Sequence, residues 1–494
     1  MKLLVIGLDG VDRALVERFD MPVLQGILEQ NTQVPIKEDL WARGWVKVLS
    51  GLPGTETGAF YEQPKLNGSG EFTQSFGTSK YAGLKKPPLW QAMGDRGVTS
   101  GWLNLPTTMP AASVDGFMVS GAGGGVSPSD RLPRKACFPA EMTDELTQDR
   151  MCWENRFRVS GYRSADTYIP ACTDAIWQRA RIFSRLVKKY HVDGLGFLAQ
   201  KEPVLLTNVF MHDVLNHRID GTEFATRQLL KNFFNCLDDT IDFLCKTLQP
   251  DNVAIVSDHG AGPYRKSLNL NALLHRNDLV KFPSQPGQNR VKKQIRFVSR
   301  MALRKLLGSD AIPYDSWHPY RQAIDHTRTQ AFAHFYVPGV YINDERFSGT
   351  VTNAADKQRL VRQIIDLINH DPLLSSENIV ATPFRELHSE CPFADLLPEI
   401  WVDLPDDVFP EHMGKLLAKN PLDRHWFDLR DLPRDIGSGS TANVVLLTPT
   451  HVVCANAGDT RAVYQAGGKV RRLSTDHKPS LSGERRRVTA AGGE

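Results

Sequence analysis

The hydrophobic positions of this 494-residue chain fall into short unbroken apolar runs that alternate with amphipathic stretches. KLLVIGL, at the N-terminus, is the kind of run that a strand buried on both faces requires, and RALVERFDMPVLQGILEQ after it carries apolar residues at helical spacing. The alternation recurs. PLWQAMGDRG reads as a helix closed by glycine, VTSGWLNLP as a strand, AIWQRARIFSRLVKKYH as a helix with basic residues late, and PVLLTNVFM as a strand. FATRQLLKNFFNCLDDTIDFLCKTL predicts a long amphipathic helix, and DNVAIVSDHGAG a strand running into a Gly-rich loop. Such an order predicts an α/β fold with a mainly parallel sheet flanked by helices, whose ligands sit beyond the carboxyl ends of the strands.

The pattern changes after Asp431-Leu432-Pro433-Arg434-Asp435. From Gly437 the chain reads GSGSTANVVLLTPTHVVCANAGDTRAVYQAGGKVRRLS, short β-branched runs separated by Gly, Pro and Asn turn signals. Two domains are therefore expected, residues 1–436 and 437–494, the second a partial α+β or β-sandwich fragment. A fragment this short cannot bury both faces of its sheet, so it is expected to be poorly packed or to lean on the first domain.

Composition narrows the classes. A hydrophobic fraction of 41%, a charged fraction of 23% and a net charge of +3 are those of an ordinary soluble protein, and argue neither for nucleic acid nor for a membrane surface as partner. The cluster Arg485-Arg486-Arg487 is read as a solvated face. Seven scattered cysteines suggest a reducing compartment, and the cytoplasm is the expected location. Nothing resembles a secretory leader or a membrane span. Oligomeric state is left open.

Three patterns carry candidate chemistry. Asp9-Gly10 follows KLLVIGL, Asp213 and His217 follow VLLTNVFM, and Asp258-His259-Gly260 follow NVAIVS. Singly, each has an ordinary explanation as a turn or a shared helix face. Together they put Asp or His just beyond predicted strands, and carboxylate plus imidazole is the mixed donor set that suits zinc or manganese.

These motifs resemble the alkaline phosphatase superfamily, specifically its type I phosphodiesterase/nucleotide pyrophosphatase branch, over about residues 1–405. The likeness extends to PLWQAMGDRGVTSGWLNLPTTMPAASVDGFMVSGAGGG, to Leu268-Asn269-Leu270-Asn271, and to the stretch from Ile324 to Phe332. The resemblance implies a hydrolase of phosphodiester, pyrophosphate or phosphomonoester bonds with two divalent metal ions, zinc favoured over manganese or magnesium. Asp9, Asp258 and His259 would hold one ion, Asp213 and His217 the other. Ions about 4 Å apart clamp both the attacking and the leaving oxygen of a phosphoryl group. The substrate class implied is a phosphorylated small molecule or a nucleotide-like molecule, with specificity expected from residues 121–190 and 280–320.

Two departures stand out. Aligning Ser50-Gly51 with the family's nucleophile stretch puts Trp41 where relatives carry Thr or Ser, and Arg43 where they carry proline. Ser50, Thr55 and Thr57 are the nearby hydroxyls, Ser50 being the leading candidate and a helix cap its ordinary alternative. Attack by hydroxide held in an open coordination position is the other route, with Arg43 against the phosphoryl oxygens. The family's last histidine ligand has no counterpart, His412 and His425 being the nearest.

The final 58 residues resemble the metal-dependent protein serine/threonine phosphatases of the PPM family, through GDTRAV, LSTDHKP and the last AGG. The family's DGHG metal segment is missing upstream, so Asp459 and Asp476 are read as turn-fixing residues. The alternatives are thus PPM-type phosphatase activity from this segment, or a catalytically impaired fusion acting as a binding protein.

Overall fold

The computed structural model describes residues 1–31, 33, 41–74, 76–122, 132–157, 160–210, 214, 223–262, 266–282, 324–334, 337–411 and 416–419, and the strands within 442–472. Asp213, His217, His412, His425, Asp459, Asp476 and most of 280–320 lie outside the described residues. The chain divides into two compact units, one made of residues 1–57, 76–261 and 438–494, the other of 58–75 and 262–437.

The first unit is built on a six-stranded sheet. Its members are β1 (Leu3–Leu8), β2 (Ser100–Leu105), β3 (Gly116–Ser120), β4 (Cys137–Phe138), β5 (Leu195–Gln200) and β6 (Asn252–Val256), in the order β4-β3-β2-β5-β1-β6. Every pairing is parallel except β3 with β4 at one edge. β1 sits between β5 and β6, with Leu3 opposite Leu195 and Asn252, and Leu8 opposite Gln200. The apolar runs of the sequence are thus explained, since residues 4–8, 100–105 and 195–200 are buried.

Helices cover the sheet. α1 (Arg13–Arg18) and α2 (Pro22–Gln30) replace the single helix expected over 13–30, because Pro22 starts a new helix at its first turn. α3 (Gly44–Ser50) ends on Gly51 in the left-handed conformation. α4 (Ala165–Lys189) and α6 (Glu223–Leu248) are the long amphipathic helices, and their apolar stripes join β1, β2 and β5 in one core.

PVLLTNVFM is not a strand. The strand is LGFLAQ, β5, and PVLLTNV belongs to α5 (Glu202–Val209), with Pro203 in its first turn. A short all-apolar run does not separate a buried strand from a buried helix, and here proline's fixed φ at a helix start decides. Asp213 and His217 therefore do not directly follow a strand. A helix stands between them and the end of β5.

The second unit carries a four-stranded antiparallel sheet. β8 (Ala331–Ala333), β9 (Gly339–Ile342), β10 (Val380–Pro383) and β11 (Ile400–Asp403) are ordered β8-β9-β11-β10, with α8 (Ala354–Asn369) packed on the sheet. β7 (Lys266–Asn269) leads into α7 (Leu270–Arg276) and pairs with β12 (Val408–Glu411) and β13 (Leu417–Lys419). In the C-terminal segment β14 (Ala442–Leu447) pairs with β15 (Val452–Ala457), and β16 (Val463–Ala466) with β17 (Lys469–Arg472), as two antiparallel ribbons.

Candidate metal centre

Asp9 is the first residue past β1, and its amide donates to the carbonyl of Gln200, the last residue of β5. Gly10 then turns the chain at φ 72°, and a Cβ there would stand 2.9 Å from Cβ of Val204 in α5. Across β1, Ser257 follows β6. Its hydroxyl accepts from the Val11 amide (3.2 Å) and donates to the His259 carbonyl (2.6 Å), fastening the two strand ends together. The backbone amides of Gly10 and Asp258 favour the ionised form of the Asp258 carboxylate.

The consequence is that Asp9, Asp258 and His259, all buried, converge, with one ligand atom from each lying within 4.8 Å of the others. The His259 Nδ1–H donates to the Gly260 carbonyl at 2.7 Å, since a carbonyl only accepts. In the neutral ring Nε2 then carries the lone pair that a metal ion would take. It lies 3.5 Å from Asp9 Oδ1 and 3.6 Å from Asp258 Oδ2.

Two buried carboxylates at that spacing repel by roughly 3 to 4 kcal/mol at an effective dielectric of about 20. Burial, and then the Asp9 charge, push the Asp258 carboxyl far above the usual carboxylate range, partly opposed by His259. Asp258 Oδ1 is buried with no hydrogen-bond partner. An unpartnered carboxylate oxygen beside a second carboxylate and an imidazole nitrogen is the environment that a divalent cation satisfies, so the residues fit the metal the donor set implies.

α3 closes the centre from the side. Gly44, its first residue, lies against Asp258 so tightly that a Cβ would be 2.2 Å from the Asp258 carbonyl oxygen. The next residue, Trp45, donates its indole N–H to Asp9 Oδ2 at 2.9 Å in a buried hydrogen bond. Sequence reasoning missed both residues. The indole's role had no readable signal, and Gly44 showed only as a small residue at a helix start.

The remaining expected residues fall elsewhere. Ser50 ends α3, six residues or about 9 Å along the helix axis from Gly44. Its hydroxyl donates to the Val46 carbonyl at 2.6 Å and accepts from the Leu52 amide at 3.2 Å, so it terminates the helix. Arg43 is the N-cap of α3, its carbonyl accepting from the Val46 and Lys47 amides. Burial first, then the Arg43 charge, lower the Lys80 pKa. Trp41 takes a left-handed backbone at φ 51°. Thr57 Oγ1 donates to the Gly54 carbonyl at 3.4 Å within a four-residue helix.

Also missed was an ionic group at the end of β5. Lys201 Nζ, buried, donates to Glu154 Oε1 (2.7 Å) and to the Ala122 carbonyl (2.8 Å), while Arg179 makes a fully buried fork to both oxygens of Glu202 (2.5 and 2.6 Å). Burial opposes ionisation of Glu154, but Lys201 and Arg156 outweigh it and hold the carboxyl down at about 2.

Fold and site together define an α/β protein with a buried Asp-Asp-His cluster, of the kind that could hold a divalent cation, at the carboxyl edge of its parallel sheet. The family model of the type I phosphodiesterase / nucleotide pyrophosphatase matches residues 3–357, and the chain belongs to that family. A second model, protein phosphatase 2C, matches residues 412–494. Curated relatives match in that region. Probable protein phosphatase 2C 22 of Arabidopsis thaliana is 41% identical over 90 residues, 18% of this chain and 23% of the relative. Probable protein phosphatase 2C T23F11.1 of Caenorhabditis elegans is 55% identical over 60 residues, 12% and 17% of the two chains. The chain thus spans less than a quarter of the length of either.

Solved structures similar to the chain include phosphonoacetate hydrolase from Sinorhizobium meliloti in complex with phosphonoformate, at 12% identity and a TM-score of 0.48, covering 97% of this chain and 91% of that one. Inactive murine ectonucleotide pyrophosphatase / phosphodiesterase 5 in complex with AMP shows 11% identity and a TM-score of 0.42, covering 85% and 83%.

Proposed function

We propose that the chain hydrolyses phosphoester bonds of a phosphorylated small molecule or nucleotide-like substrate, with Asp9, Asp258 and His259 as ligands of a divalent metal and Asp213 and His217 serving a second ion. The observation that carries this reading is the buried convergence of Asp9, Asp258 and His259, with Asp258 Oδ1 left without a hydrogen bond. Membership of the type I phosphodiesterase / nucleotide pyrophosphatase family supports the phosphodiester or pyrophosphate class of bond. Zinc is the favoured ion on its preference for mixed carboxylate and imidazole donors. When bound, such an ion polarises a phosphoryl oxygen and offsets the charge that builds up on it.

What the chain's own residues do is hold ligands and exclude alternatives. Trp41 occupies the aligned position of the family nucleophile, and the Ser50 hydroxyl is engaged in ending α3. Attack by water, with no covalent enzyme intermediate, is the route these placements favour: a P–O bond forms to water, the ester P–O bond breaks, and the leaving oxygen takes up a proton. The cytoplasm remains the proposed location. Among the described residues no helix is long and apolar enough to cross a membrane.

Hydrolysis of a bis-nitrophenyl phosphodiester with and without chelator, by wild type and Asp258→Ala, tests the proposal. Loss of turnover in both arms is expected. Activity that survives both would overturn it. The protein phosphatase 2C match over 412–494 motivates a second reading, phosphopeptide hydrolysis dependent on manganese or magnesium, which the same panel includes. A chain that binds metal but turns over neither substrate would be the impaired, binding-only fusion.

A further inference from the structure

We propose that Trp45 is a positioning residue for the metal centre: its indole N–H holds Asp9 Oδ2, presenting Oδ1 to the ion, and makes helix α3 part of the centre's scaffold. The inference rests on the reading of Asp9, Asp258 and His259 as metal ligands, and goes beyond it by assigning work to a residue that is not itself a ligand.

Four observations carry it. The indole nitrogen is 2.9 Å from Asp9 Oδ2, and both side chains are buried, so the hydrogen bond is shielded from water. A hydrogen bond to a charged acceptor in such a setting is worth about 1.5 to 3 kcal/mol. The other oxygen, Oδ1, is the one that faces His259 Nε2, at 3.5 Å. A carboxylate held at one oxygen by a rigid donor offers the other in a fixed direction, which is what a small cation of defined geometry requires.

The ring itself has no freedom. It is packed against Gly7 of β1, where a Cβ would lie 2.6 Å from the indole Cη2, and it contacts Phe197 of β5 with ring centroids 6.3 Å apart. Gly44, one residue earlier, is seated on Asp258. Two consecutive residues of α3 therefore meet the two aspartates, Gly44 lying against the backbone and Cβ of Asp258 and Trp45 donating to the Asp9 carboxylate. A tryptophan needed only to fill space would not have to aim its nitrogen at a ligand.

The test is zinc affinity by competition with a chromophoric chelator, together with the indole N–H spectrum of 15N-tryptophan-labelled full chain. Trp45→Phe keeps an aromatic ring and removes the donor. Its zinc affinity is expected to fall about 10- to 100-fold, with the melting temperature of the chelated protein changed far less. Trp45→His, which retains a ring N–H, is expected to recover part of the affinity. In the wild type, one of the nine indole signals should shift on zinc addition and be the one missing from Trp45→Phe. Equal zinc affinity in wild type and Trp45→Phe would overturn the inference while leaving the metal centre standing. If Trp45→Phe does not fold, the wild-type spectrum decides, and nine unmoved indole signals overturn it. A wild type that binds no zinc overturns the metal-centre reading and this inference with it.

Discussion

At the scale of single residues, the centre sets charge against stability. Asp9 and Asp258 lie side by side in a buried setting, and the metal-free protein bears their repulsion. Asp258→Asn is therefore expected to raise the melting temperature of the chelated protein by a few degrees while abolishing zinc binding, measured by calorimetry in chelator and by zinc titration. Ser50 gives a sharper discrimination. If its hydroxyl only ends α3, Ser50→Ala loses about 1 kcal/mol of stability in denaturant melts and keeps its turnover. A collapse of kcat with stability retained would make Ser50 the nucleophile after all. The convergence of Asp9, Asp258 and His259 was legible because Asp-Gly and Asp-His-Gly close apolar runs that could be read as strands. Trp45 was not, since its function depends on where an indole nitrogen points, and no pattern of sequence encodes that.

Glu154 extends the residue scale to pH. Its folded pKa, about 2, lies below the ordinary glutamate value, so its contribution to stability is complete above roughly pH 5 and is lost as pH falls toward 2. The contribution is on the order of 3 kcal/mol. Melting temperatures measured from pH 7 to pH 2 should drop less steeply for Glu154→Gln than for wild type. The variant should also start lower at neutral pH, because Lys201 is left buried without its counter-charge.

At the scale of elements, most helices and strands followed from periodicity, and the misread ones share a cause. PVLLTNV is apolar throughout because α5 is buried on nearly all sides, and only a partly exposed helix shows a stripe. The strand beside it, LGFLAQ, was masked by its glycine. β10 illustrates a device the sequence does not announce. It is an edge strand with Val380 exposed, yet Asn369 of α8 donates to the Ala381 carbonyl (3.0 Å) and accepts from the Ala381 amide (2.7 Å), occupying the place of a further strand. Asn369→Ala should cost about 1 to 3 kcal/mol in denaturant unfolding and increase light scattering on heating.

At the scale of the whole molecule, the Asp9, Asp258 and His259 cluster comes from the first 259 residues, whereas the protein phosphatase 2C match begins at residue 412. Removal of residues 437–494 is expected to leave zinc stoichiometry and diesterase turnover in place and to abolish any phosphopeptide activity, each measured on the purified truncated chain. The boundary at residue 437 is read from the sharp shift in composition there. The division into two units was not legible, since residues 58–75 join a unit whose other part starts at 262, and residues 438–494 group with the unit that holds 1–57.

That interleaving has a price in time. β1 is made well before its neighbours in the sheet, β5 and β6, which begin at Leu195 and Asn252. At a synthesis rate of 5 to 20 residues per second, Leu3–Leu8 waits roughly 10 to 40 s for its first partner strand to leave the ribosome. Through that interval one of the most apolar segments of the chain has no sheet to join and depends on being kept from other apolar surfaces until β5 emerges.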